Sequence, residues 1–148
     1  MYIKFGGMIA TSTVVMLILM YINTYSIDHV FFSETRFYMA LLMGAAMAII
    51  MLVFMLHMLK NRKINIGIIA VSLVVFGLSL FLIRSQTTID DSSYMKAMIP
   101  HHSIAILTSG RANISDPRVK ALADEIIEAQ LREIAEMKKL IQELENEK

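Results

Sequence analysis

A chain of 148 residues with a formal net charge of +1 and no cysteine excludes several classes of protein at once. Without cysteine there can be no disulfide, zinc–thiolate site or iron–sulfur cluster. So small a net charge argues against a nucleic-acid partner, which usually requires a strong basic patch. The 56% hydrophobic content is concentrated before Arg84, whereas nearly all the acidic residues follow Ile89. Long apolar runs with few charges are typical of membrane spans rather than of a large soluble core.

Three apolar segments predict a membrane anchor over residues 1–84, with the lipid bilayer as its partner. They cover about residues 5–25, 37–58 and 64–83, and each has roughly the twenty residues that a helix needs to cross the hydrocarbon core. The first segment ends without a small-residue cleavage site, so we expect an anchor rather than a cleaved signal peptide.

The charges of the loops predict an orientation. Residues 60–63 carry three positive charges, whereas residues 26–35 carry two acidic residues and no lysine or arginine. The positive-inside rule therefore places residues 60–63 and the N-terminus in the cytoplasm. We expect a multi-pass protein of the cell membrane whose chain after Arg84 is extracytoplasmic. His29 lies in the outer loop, where we expect a solvated side chain.

Residues 85–148 predict an extracytoplasmic helical hairpin. Its first helix begins near Asp90, Asp91 or Ser92, all good N-cap residues, and runs to about Ser109, before Gly110. The second begins at Ser115-Asp116-Pro117, a capping residue followed by proline at the first helical position.

The fold class that follows is all-α. Two short helices bury too little surface to be stable alone. We therefore expect hairpins to pair into a four-helix bundle, as a homodimer or higher homo-oligomer.

Polar residues interrupt the apolar face of the second helix. Gln130 and Glu133 fall on that face, within two turns of Met137. A carboxylate on a buried stripe is costly unless it is paired or coordinates something. Glu133 is therefore either a ligand or a helix-edge residue that pairs with a lysine of a partner helix.

The first helix carries a matching group of side chains. Met98 is followed by His101 and His102, three and four residues later, and Met95 lies one turn before it. Thioethers favour Cu(I), and imidazole suits copper, zinc and iron. Copper is the first expectation for such a Met/His group, and Glu133 would shift the preference towards zinc, iron or Cu(II). Adjacent side chains diverge by about 100° on a helix, so we expect one histidine to ligate and the other to pack or support it.

Two motifs carry a resemblance to a known family. The first is Met98-Ile99-Pro100-His101-His102 with Ala105, and the second is Leu122-Ala123 with Gln130-Leu131-Arg132-Glu133-Ile134 and Met137. Together they resemble the family catalogued as domain of unknown function 305, which has a ferritin-like helical-bundle fold. The membrane half is similar to the three-span anchor of some members.

The resemblance implies copper binding and copper tolerance outside the cytoplasm, with Met98, His101, His102 and Met137 as ligands. Family members often carry one further methionine shortly after the histidine pair, where this chain has Leu107-Thr108. We therefore expect a site with relatively more nitrogen and oxygen ligands.

The leading hypothesis is a membrane-anchored extracytoplasmic protein for copper buffering, tolerance or handover, with no catalytic residue. Its metal residues are Met98, His101, His102, Glu133 and Met137, supported by Met95 and Gln130. The alternative is an oligomeric membrane scaffold with a buried His/Gln/Glu network and no metal. A di-iron redox enzyme ranks last, because neither histidine has a glutamate three residues before it.

Overall fold

The structure is a computed structural model that describes residues 1–147, and over that range it contains helices and no strand. The all-α prediction is confirmed. The helices are α1 (Tyr2–Leu19), α2 (Glu34–Phe54), α3 (Arg62–Ser85), α4 (Asp91–Arg111) and α5 (Pro117–Asn146), with a 3₁₀ turn over Ile27–His29. The chain forms two compact units. The first comprises Met1–Met20 and Thr35–Thr88, and the second comprises Tyr21–Glu34 and the chain from Ile89 onward.

The first unit contains three helices, α1 to α3, that are long and apolar enough to cross a membrane. Helix α1 ends at Leu19, earlier than the apolar pattern predicts. The polar residues Asn23 and Thr24 follow within a few positions, and Thr24 Oγ1 donates to the Tyr21 carbonyl at 3.0 Å.

Helix α2 is the most buried of the three because one of its faces is built from small residues. Ala40, Gly44, Ala45 and Ala48 are all buried on it. At Gly44 the backbone comes so close to α1 that an added Cβ would collide with Oγ1 of Thr13. Small residues of this kind let helices approach closely where lipid offers no hydrophobic driving force.

A polar cluster joins the start of α1 to the turn between α2 and α3. The Tyr2 hydroxyl donates to Asn65 Oδ1 at 2.9 Å and accepts from the Asn61 amide at 3.0 Å. The Asn65 side chain donates to the Leu59 carbonyl at 2.6 Å, and Asn61 caps α3 by accepting from the Lys63 and Ile64 amides. The turn is therefore held by side-chain bonds as well as by packing.

The second unit is built on the α4–α5 hairpin, and both predicted helix starts are confirmed. Asp90 caps α4 by accepting from the Ser93 amide at 2.7 Å, and Asp116 caps α5 by accepting from the Arg118 amide at 2.8 Å. The apolar periodicities of the two helices meet in one core. Its buried members are Met95, Ile99, Ile106, Ile134 and Ile141.

The loop between α1 and α2, residues 21–34, packs on this hairpin. Ser103 is fully buried, accepts a hydrogen bond from the Tyr25 amide at 2.7 Å, and lies 2.9 Å from His29 Nδ1. Lys138 donates to the Asp28 carboxylate, and Phe31 packs against the hairpin core. The prediction that His29 is solvated is wrong, since His29 is only 7% exposed. It is buried because the loop folds back onto α4.

The close approach at Gly44 generates a stability prediction. Gly44→Leu forces a side chain against Thr13 and should lower the free energy of unfolding by about 1–3 kcal/mol, the usual cost of overpacking. The matched control is Gly77→Leu on α3, where an added Cβ meets nothing within 4 Å. Thermal unfolding of both variants in the same mild detergent checks this. Equal melting temperatures for the two variants would contradict the proposed close packing.

Candidate metal centre

The candidate centre is a cavity of about 530 Å³ between α4 and α5, within the second unit. Its lining consists of Asp91, Tyr94, Met95, His102, Glu133, Glu136, Met137, Leu140 and Leu144. It thus holds one imidazole, two thioethers and three carboxylates among apolar side chains.

Helical spacing explains why these side chains converge. Met95 and His102 are seven residues apart, so they lie two turns apart on one face of α4. Glu133 and Met137 are four residues apart and lie one turn apart on α5. Because the two helices pack along their length, the two faces border the same cavity.

The contact between His102 and Glu133 is the central polar feature. Nδ1 of His102 lies 3.2 Å from Oε2 of Glu133. The carboxylate is out of line for a hydrogen bond, so this nitrogen is buried without a hydrogen-bond partner. A buried polar atom without a hydrogen bond is rare, and a role as a metal ligand is one explanation for it.

Burial keeps the His102 imidazole neutral. It lowers the pKa of His102 below its ordinary value, which the nearby Glu133 carboxylate opposes and His101 reinforces. The Glu133 side chain is 44% exposed, so its charge is hydrated and does not carry the cost of a buried carboxylate. His102 therefore retains a lone pair for an electrophile.

The structure brings some of the predicted site residues together and leaves others apart. Met95, His102, Glu133 and Met137 line the cavity, whereas Met98, His101 and Gln130 are not among its lining residues. His101 is exposed, and its ring centre is 6.1 Å from that of His102 with the planes 58° apart. The two imidazoles diverge in direction, as helix geometry requires.

Three further lining residues were missed by the sequence reasoning. Asp91 and Tyr94 lie one turn before Met95 and Met98, and Glu136 lies one turn after Glu133. These residues follow the same helical spacing as the methionines and histidines. Single acidic side chains on exposed helices are too common, however, to indicate a binding site.

Among residues 1–147, no three histidine, aspartate or glutamate side chains lie close enough to share one ion. A metal in the cavity would therefore need thioether ligands from the same hairpin or further ligands from another chain.

Comparison with known proteins adds two findings. The family model described as Domain of unknown function (DUF305) matches residues 86–148. An uncharacterized protein of Acanthamoeba polyphaga mimivirus is 38% identical over 109 residues, which are 72% of this chain and 70% of that protein. No solved structure matches the chain.

The buried His29 and the partly buried His102 generate a pH prediction. Burial lowers the pKa of His29 and of His102 from the ordinary 6.5. The unfolded chain therefore takes up these protons first as the pH falls. The stability that the two neutral imidazoles contribute is complete above about pH 6.5, and it is lost as the pH falls through their pKa values in the folded protein. Melting temperatures of the metal-free protein should decrease from about pH 7.5 to about pH 5.

His29→Gln and His102→Gln should each reduce the slope of that decrease, because each removes one proton-uptake site. His57→Gln is the control, since His57 is exposed and lies in the first unit. An unchanged slope in both variants would show that neither histidine is responsible.

Proposed function

The chain belongs to the DUF305 family, and we propose that it is a membrane-anchored extracytoplasmic metal-binding protein that buffers copper or hands it on. The observation that carries the proposal is the buried Nδ1 of His102. It has no hydrogen-bond partner and lies in a cavity that also presents the thioethers of Met95 and Met137. This is the arrangement expected of a ligand atom rather than of a structural histidine.

The separation of His102 Nδ1 and Glu133 Oε2 supports a shared ion. Two ligand atoms bound at about 2.0–2.1 Å in a tetrahedral arrangement lie about 3.3 Å apart. The 3.2 Å between these atoms therefore permits both to bind one metal. The poor alignment for a hydrogen bond is consistent with that role.

The ligand types favour copper over other metals. Thioethers from Met95 and Met137 select Cu(I), and imidazole binds both oxidation states of copper. Glu133 supplies a negative charge and a hard oxygen, which extends the range of the site to Cu(II) or Zn(II). Bound copper would supply a soft, redox-active Lewis acid, and the chain's own contribution is a neutral imidazole held in a partly apolar cavity. Iron is a less favoured occupant for so few carboxylates.

A multi-pass location in the cell membrane is the second part of the proposal. Helices α1 to α3 have the length and hydropathy of spans. The basic residues 60–63 favour a cytoplasmic turn between α2 and α3. With three spans, the N-terminus is cytoplasmic as well, and the α4–α5 hairpin is held outside, where cysteine-free ligands resist oxidation.

A homodimer or higher homo-oligomer is the third part. Tyr94 and Leu140, which line the cavity, are exposed by 54% and 41%, and Leu122 of α5 is exposed by 56%. Pairing two hairpins into a four-helix, ferritin-like bundle would cover these side chains. The pairing would also bring in ligands from a second hairpin, because a single hairpin, over the residues that the structure describes, does not place three histidine or carboxylate ligands close enough to hold one ion.

The alternative is an oligomeric scaffold in which His102, Glu133 and Gln130 form a polar network without metal. The direct approach of His102 to Glu133 favours it, since two helices can be aligned by such a pair alone. The scaffold requires no ion at the buried nitrogen, and the two proposals therefore differ in what copper does to stability.

Metal binding by the full-length protein in mild detergent tests the proposal. His102→Ala should weaken Cu(I) binding by about tenfold or more, which is about 1.4 kcal/mol, because it removes the buried imidazole. His101→Ala should have a smaller effect, because that ring is exposed. His57→Ala is the matched control. Competition with a chromophoric Cu(I) chelator gives the affinities, and elemental analysis gives the stoichiometry.

Copper should also stabilise the folded wild-type protein by mass action, by about 2.7 kcal/mol at a hundredfold excess over the dissociation constant, and so raise its melting temperature. The His102→Ala variant should respond much less. Wild-type protein that binds no Cu(I), Cu(II) or Zn(II), with an unchanged melting temperature, would overturn the metal proposal and leave the scaffold.

A second binding prediction separates the soft ligand from the hard one. Met137→Leu keeps the shape of the side chain but removes a thioether, so it should weaken Cu(I) and leave Zn(II) nearly unchanged. Glu133→Gln removes the carboxylate and should weaken Zn(II) and Cu(II) more than Cu(I). Each variant serves as the other's control. Parallel losses for all ions in both variants would indicate a change of fold instead.

A further inference from the structure

A groove within the first unit has no part in the metal site. Its larger section has a volume of about 670 Å³ and is lined mainly by α1 and α3. A second section of about 200 Å³ shares Ile9, Ala48, Val71 and Ser72 with it, so the two form one continuous groove. Its lining is apolar apart from a few hydroxyl groups.

The groove has the length of one membrane leaflet. Along α3 its lining extends from Ile64 to Val75. Eleven steps at about 1.5 Å correspond to about 16 Å. Half of a hydrocarbon core of about 30 Å is about 15 Å. A single acyl chain in one leaflet therefore matches the groove, whereas a helix of another protein would extend beyond it.

Glycine keeps the groove open. Gly6 on α1 and Gly67 on α3 both line it, and a Cβ added at either position would meet no atom within 4 Å. The space beside these two glycines therefore holds no atom of residues 1–147, and a lipid of the bilayer can enter it.

The charges at one end of the groove indicate the headgroup. The first unit contains six lysine and arginine residues and no aspartate or glutamate, so no carboxylate side chain within it can neutralise them. Lys4, Lys60, Arg62 and Lys63 all lie within a few residues of the lining residues Tyr2 and Ile64. The Tyr2–Asn61 and Tyr2–Asn65 hydrogen bonds bring the starts of α1 and α3 together.

We propose that this groove binds an anionic glycerophospholipid, with an acyl chain along α3 from Ile64 to Val75 and the phosphate at the basic end. Basic pockets between membrane helices on the cytoplasmic side bind such headgroups. The inference rests on the membrane embedding proposed above and is independent of the metal site.

The test uses the full-length protein in micelles doped with palmitoyl-oleoyl phosphatidylglycerol or with the zwitterionic phosphatidylcholine analogue. Lipid retained through detergent exchange is counted by native mass spectrometry. Wild-type protein should retain phosphatidylglycerol in preference to phosphatidylcholine. Gly67→Leu places a side chain in the groove at a position where an added Cβ meets no atom within 4 Å, and it should abolish that preference. Gly77→Leu, an equally open glycine of α3 outside the lining, should keep it.

A second variant tests how much the basic residues contribute to the preference for the anionic lipid. Arg62→Gln with Lys63→Gln should reduce the preference by about fivefold for each cation removed. Arg84→Gln, at the other end of α3, should leave it unchanged.

Equal retention by Gly67→Leu and Gly77→Leu, or equal retention of both lipids by the wild-type protein, would overturn the proposal. A change in oligomeric mass caused by Gly67→Leu alone would also overturn it and assign the groove to a second copy. Protein that remains soluble without detergent would instead contradict the membrane embedding. Unchanged Cu(I) affinity in Gly67→Leu is the expected control, since the metal residues lie in the other unit.

Discussion

The second unit depends on one constraint: two packed helices share a single core and leave two sides of that core uncovered. The α4–α5 core is narrow: Ile99, Ile106 and Ile134 are fully or nearly buried in it, and little else is available to cover its sides. One flank is partly covered by the loop over residues 21–34, which packs Phe31 against the core and brings His29 to Ser103 on α4. The other flank keeps a cavity, and it is there that His102, Glu133 and the two methionines meet. The site is thus located on the side of the hairpin that the loop does not cover.

The buried loop contact explains how a serine next to the candidate ligand is held. Ser103 is fully buried and is hydrogen-bonded to both the Tyr25 amide and His29. These bonds fix the rotation of α4 at the turn that also carries His102. Because adjacent residues diverge by about 100° on a helix, fixing Ser103 toward the loop turns His102 away from the loop, and His102 lines the cavity.

Local chemistry made much of this structure predictable. Asp90 and Asp116 begin their helices where capping rules place them, and the apolar periodicity of α5 places Ile134 and Ile141 in the core. The same periodicity placed His102, Glu133 and Met137 on facing surfaces. The docking of the loop over residues 21–34 was not predictable, because it depends on contacts between residues far apart in the chain. A lone histidine in a polar loop carries no local sign that a serine more than seventy residues later will bury it.

The distribution of charge links the two halves of the chain chemically. The near-neutral total conceals a segregation of the carboxylates, since all 13 acidic residues lie in the second unit and none in the first. An excess of carboxylates around the hairpin favours the accumulation of cations near its cavity, most strongly at low ionic strength. An excess of lysine and arginine with no carboxylate favours anionic surfaces for the first unit. One segregated charge pattern therefore supports both a cation in the α4–α5 cavity and an anionic lipid at the start of α3.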